Sequence, residues 1–138
     1  MTENSGSNLI PSDAIYYVKI SITEELLTRF GEMSGDYNPL HISRIYAQQR
    51  GFNDRVAYGN ILGLLVSRLV GMHLWSSEVM IISQRINFNK PVYPRDTIEL
   101  KAIITQKSAA VNIVELSLSF SNQIGEIVAL GKCQVRSF

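Results

Sequence analysis

The chain has 138 residues, 46% of them hydrophobic and 18% charged, which suits one domain with a real core. Its 13 basic and 12 acidic residues leave a net charge of +1, so neither nucleic acid nor an anionic membrane is an expected partner. The single cysteine, Cys133, excludes an intrachain disulfide and fits a reducing compartment, read here as the cytoplasm.

Met1 to Asn8 is polar and lacks the charged start and apolar run of a signal peptide. Residues 1–10 read as a flexible N-terminal tail ahead of one domain over 11–138. Ala14 to Ile20, rich in Ile, Tyr and Val, predicts a first strand. Thr23 is a candidate N-cap, with Glu24 and Glu25 facing the positive helix end. Leu26, Leu27, Phe30 and Met33 follow at helical spacing, and Gly31 and Gly35 mark the fraying end. Ser43 predicts the cap of a short helix over Arg44 to Gln49, stopped by Gly51.

Ile61 to His73 is apolar nearly all round, as expected of a helix enclosed by other structure, and is too short and too polar to span a bilayer. The second half alternates. Ile82, Gln84, Ile86 and Phe88 define one face; Ile98, Leu100, Ala102 and Ile104 a second; Val114, Leu116, Leu118 and Phe120 a third. Ile127 to Val135 reads as the last strand. Alternation of this kind gives antiparallel strands with one buried face, and the apolar helix is their natural cover. The expectation is an α+β domain, an antiparallel sheet wrapped around a central helix. Ile103, Ile113 and Val111 break the alternation and predict an outward apolar stripe, hence a subunit interface.

The stretch that carries chemistry is Ser34-Gly35-Asp36-Tyr37-Asn38-Pro39-Leu40-His41. It sets a carboxylate and an imidazole five residues apart across a stiff turn, the two side chains best suited to moving protons near neutral pH. His41, His73 and Cys133 lie far apart and offer no metal-ligand cluster. His73 and Trp75 read as structural, and Cys133 as a small core residue.

That string resembles the signature of the MaoC-like, (R)-specific enoyl-thioester hydratases and dehydratases. Two more stretches carry the likeness: Gly51-Phe52 through Val56-Ala57-Tyr58-Gly59, and Arg85-Ile86-Asn87-Phe88 with Lys90-Pro91-Val92-Tyr93-Pro94-Arg95-Asp96-Thr97. The resemblance implies a hot-dog fold over about residues 15 to 136, usually a homodimer. It implies water addition or removal across C2–C3 of an acyl thioester of coenzyme A or acyl carrier protein, with no cofactor beyond that carrier. Carried over, Asp36 and His41 share the reactive water as acid and base, and the Gly59 N–H holds the thioester oxygen. Asn38, Tyr58 and Asn60 are candidate substrate-binding residues, with Asn38 better suited to fixing the turn than to touching substrate and Tyr58 equally suited to filling the volume of the missing histidine. The family usually has His where this chain has Tyr58 and Met where it has Asn60, and some members have Ser where it has Leu64. A silent acyl-thioester or partner-binding domain and a thioesterase are the alternatives on the same fold.

Overall fold

The long alternating runs of the second half set the architecture. In a computed structural model that describes residues 10, 11 and 13–138, five antiparallel strands stand in the order β1-β3-β4-β5-β2. They are β1 (Ile15–Ser21), β2 (Val79–Phe88), β3 (Thr97–Ser108), β4 (Ile113–Ser121) and β5 (Ile127–Ser137). The tail expected at residues 1–10 lies, Ile10 apart, outside the described residues.

β3 and β4 follow the pattern residue by residue. Ile98, Leu100, Ala102 and Ile104 are buried, as are Val114, Leu116, Leu118 and Phe120, with half-buried or exposed residues between them. Both inward rows pack on helix α4 (Ile61–Arg68), whose Ile61, Leu62, Leu65 and Val66 are buried. This is the expected α+β sheet around one helix. The helix differs from expectation in two ways. It gives way after Arg68 to one π-helical turn, Leu69–His73, and it is not enclosed all round. Ser67, Arg68 and Gly71 to His73 are exposed because the sheet covers one side only. Arg68 anchors the open side by donating from Nη1 to the Lys19 carbonyl of β1 at 2.8 Å.

β2 departs furthest from its predicted face. A bulge at Ile82 shifts the register between Ile81 and Ser83, so Val79 and Ile81 precede Gln84, Ile86 and Phe88 on the helix-facing side. Ile82 itself is exposed, and Phe88 is 55% exposed at the sheet edge. Ile103 and Ile113 face away from the core, as predicted, but do not form one unbroken stripe. Ile103 stands opposite Ile15 and Ser117, Ile113 opposite Ser108 and Arg136, and Val111 lies in the turn. Glu115, paired with Lys132 at 3.6 Å, stands on β4 between Ile113 and Ser117, the partner of Ile103.

Helix α1 (Glu24–Ser34) is capped as predicted: the Thr23 hydroxyl accepts from the Leu26 N–H at 3.0 Å. It ends at Gly35, whose φ of 72° suits a residue without Cβ. Gly31, expected at a fraying end, is instead buried inside the helix, and Met33 is exposed rather than part of its apolar face. Helices α2 (Pro39–Ile42) and α3 (Arg44–Gln49) follow, the first of them unanticipated.

Candidate active site

The turn after α1 is held by its own side chains. The Ser34 hydroxyl accepts from the Asp36 N–H at 3.1 Å, Asp36 Oδ1 from the Asn38 N–H at 3.0 Å, and Asn38 Oδ1 from the Leu40 N–H at 2.9 Å. Such Asx contacts satisfy the N–H groups that open a short helix. Asn38 is therefore the cap of α2, with Pro39 at its first position. One consequence is chemical: Asp36 has Oδ1 engaged and Oδ2 left over.

Oδ2 faces His41. The Asp36 Oδ2 to His41 Nε2 distance is 3.6 Å, the imidazole being mostly buried and the carboxylate about half exposed. The other ring nitrogen, Nδ1, lies 2.6 Å from the Val56 carbonyl, which only accepts, so Nδ1 carries the proton and donates. In neutral His41 the Nε2 lone pair then points toward the carboxylate. The Val56 N–H in turn donates to the Leu40 carbonyl at 3.0 Å, which locks α2 to the 51–60 loop. The Ala57 N–H donates to the Val92 carbonyl at 2.7 Å and ties that loop to the Pro91–Pro94 turn.

Two clefts meet at His41. One, of about 300 Å³, is mostly apolar; Gly59 lines it with His41, and Phe52, Val56, Leu62 and Phe88 form much of its wall. The other, of about 270 Å³, lies against α1 and includes Glu24, Gly31, Tyr37, Arg55 and Tyr58. Arg55 is ion-paired with Glu24, and the hydrogen bond to that carboxylate raises the guanidinium pKa further.

Gly59 lies just ahead of Asn60, the cap residue of α4, and among the described residues no protein acceptor takes its N–H. A Cβ there would stand 3.0 Å from Cε1 of Phe88, so the glycine keeps the mouth of the first cleft open. Asn60 is exposed at the helix start, and its side chain makes no capping bond. Tyr58 is 6% exposed, and its hydroxyl donates to the Asp36 carbonyl at 2.8 Å. Its ring lies 4.2 Å, centroid to centroid, from the His41 ring and 4.8 Å from that of Phe30. Burial, then the Asp36 charge, pushes the phenol pKa up, so the hydroxyl stays a donor across the neutral range. The structure thus brings Asp36, His41, Tyr58 and Gly59 together, with Asn38 and Asn60 at the margins.

Gly31 is the member of this group that sequence reasoning missed. A Cβ on Gly31 would lie 2.8 Å from the Tyr58 hydroxyl oxygen. The signal was a glycine interrupting a helical pattern, which costs helix stability unless something approaches closely.

The family described as "MaoC like domain" matches residues 9–121. A 3-hydroxybutyryl-CoA dehydratase of Methylorubrum extorquens is 33% identical over 89 residues, covering 64% of this chain and 57% of that protein. An (R)-specific enoyl-CoA hydratase of Aeromonas caviae is 26% identical over 107 residues, 78% of this chain and 80% of its own. The solved R-hydratase PhaJ1 of Pseudomonas aeruginosa superimposes with a TM-score of 0.85 at 26% identity, covering 93% of this chain and 82% of that one. The (R)-hydratase structure from A. caviae gives 0.87 at 22% identity, over 94% and 98% of the two chains.

Proposed function

The chain belongs to the MaoC-like domain family, and on that premise we propose that it is a lyase adding or removing water across the C2–C3 bond of an acyl thioester of coenzyme A or acyl carrier protein. The observation that carries the reading is the 3.6 Å separation of Asp36 Oδ2 and His41 Nε2, with the opposite atom of each group already engaged.

Both atoms are acceptors turned to one point, so one water molecule can donate an O–H to each as the two part slightly to admit it. During hydration the water oxygen bonds to C3 while His41 Nε2 takes one of its protons. The imidazolium formed stands beside the Asp36 carboxylate, which offsets its charge. The electron pair of the C2–C3 double bond moves to C2 and onto the thioester oxygen. That oxygen is received by the Gly59 N–H at the positive start of α4, a donor whose loss typically costs about 10²–10³ in rate. Nε2 then returns its proton to C2, and one water has been consumed. Both transfers come from one side of the substrate, a syn addition, and the face of C3 turned toward the pair sets the configuration of the alcohol. Asn60 at the open helix start is assigned to the carrier side of the substrate, and the apolar cleft behind Gly59 to the acyl chain.

The protein is further proposed to act as a homodimer. β2 is an edge strand carrying exposed Met80 and Ile82, a face that a second copy would cover. Light scattering should give twice the chain mass; a monomeric mass rejects this point.

The functional test follows the enoyl-thioester absorbance of crotonyl-coenzyme A, and of the same acyl group on acyl carrier protein, for the wild type and Asp36→Asn. Loss of absorbance without free thiol, abolished by the substitution, is expected. Thiol release assigns thioesterase action instead, and binding without any turnover assigns a silent acyl-binding domain.

A further inference from the structure

Tyr58 sits where sequence reading placed a substrate-binding side chain, yet its hydroxyl has one proton and that proton is spent within the protein. It is donated to the Asp36 carbonyl at 2.8 Å, from a side chain 6% exposed. The same ring lies on His41 at 4.2 Å. The next residue in the chain is Gly59, whose N–H has no acceptor among the described residues. One residue therefore touches the backbone of the carboxylate, the face of the imidazole and the peptide that presents the free donor.

The space for this arrangement exists because residue 31 has no Cβ. An added one would stand 2.8 Å from the phenol oxygen but 3.6 Å from the ring carbon bearing it. The clash belongs to the hydroxyl and not to the ring. Gly31 has a negative φ inside α1, so no backbone conformation asks for glycine there. The cost of a helix-interior glycine is explained by the tyrosine oxygen alone.

We propose that Tyr58 and Gly31 form a positioning pair: the hydroxyl, seated in the gap left by Gly31, tethers the Asp36 backbone and fixes the Asp36–His41 pair relative to the Gly59 N–H. The inference rests on the hydratase reading for its kinetic consequence, not for its structural one. Misplacing a reacting group by about 1 Å can cost up to about 10²-fold in rate without weakening substrate binding.

The experiment compares wild type, Tyr58→Phe, Gly31→Ala and the double variant. Amide hydrogen exchange at Asn38 and Leu40, whose N–H groups are bonded within the turn, reads the tether without turnover. Both single variants should speed exchange there by up to about tenfold, the worth of one hydrogen bond. They should lower kcat by about 10- to 100-fold with KM nearly unchanged. In the Tyr58→Phe background, Gly31→Ala should add nothing to either effect, because the atom it strikes is gone.

Unchanged exchange in Tyr58→Phe overturns the proposal. So does full additivity of the two substitutions, since the glycine would then serve something other than the hydroxyl. A rise in KM with kcat kept also overturns it and returns Tyr58 to substrate binding. A wild type that hydrates no enoyl thioester defeats the functional reading, while the exchange data still decide the tether.

Discussion

Two sides of α4 are built on different terms. Toward β3, β4 and β5 the helix meets a sealed layer in which Leu65, Leu100, Leu116, Phe120 and Val135 have no exposed surface. Toward α1, the 51–60 loop and β2 it meets an open region held by a few hydrogen bonds, with Asp36 half exposed and Phe88 mostly exposed. The sealed side gains its stability from area, spread over many interchangeable contacts. The open side gains position from single contacts, each with one donor and one acceptor. Substitutions should therefore separate stability from activity according to side.

The largest separation is expected at His41→Ala. Losing a placed acid–base group should cut turnover by about 10²–10⁴. The melting temperature should fall by far less than for a core deletion, since the imidazole, though mostly buried, lies outside the apolar core and gives up one hydrogen bond, to the Val56 carbonyl. A matched collapse of both would show that the open side also carries the fold. Phe120→Ala is the mirror case: a fully buried ring is deleted, at a cost of about 3–5 kcal/mol in urea unfolding. The remaining folded molecules should keep wild-type kcat.

A pH series sharpens the contrast further. Burial among apolar side chains pushes the Cys133 thiol up to about 11. The folded state thus holds this proton more tightly than the unfolded chain. The stability it contributes is complete below about pH 9 and is lost as pH climbs toward 11, about 2–3 kcal/mol over the whole window. Cys133→Ala should flatten the alkaline limb of a stability–pH curve, while leaving its slope below pH 8 unchanged. The smallest expected effect is that of Thr23→Ala, which removes the cap of α1 on the open side and should cost about 1 kcal/mol by thermal unfolding.

The same contrast governs what was legible in the sequence. β3 and β4 were read with their faces correct, because a strand packed on one side must alternate and nothing interrupts these two where they meet the helix. The Asp36–His41 turn was legible because its chemistry is local. Pairings across the fold were not. No spacing links Gly31 to Tyr58, 27 positions apart, or His41 Nδ1 to the Val56 carbonyl. Ile82 was assigned to the inward face because a bulge is invisible to a count of two. The enclosed helix was overestimated because apolar composition does not state how many sides are covered within one chain.

The irregular points of the backbone have a consequence for how the molecule tolerates changes of length. β2 carries one extra residue at Ile82, β3 one at Thr105 between Ile104 and Gln106, and β5 one at Val128. Deleting the extra residue at Ile82 or Thr105 restores simple alternation and leaves the flanking inward side chains inward. A deletion at Leu118, in the unbroken middle of β4, turns half of that strand inside out. Gaps in an alignment of relatives belong at the bulges, and a codon-by-codon deletion scan should find its survivors there.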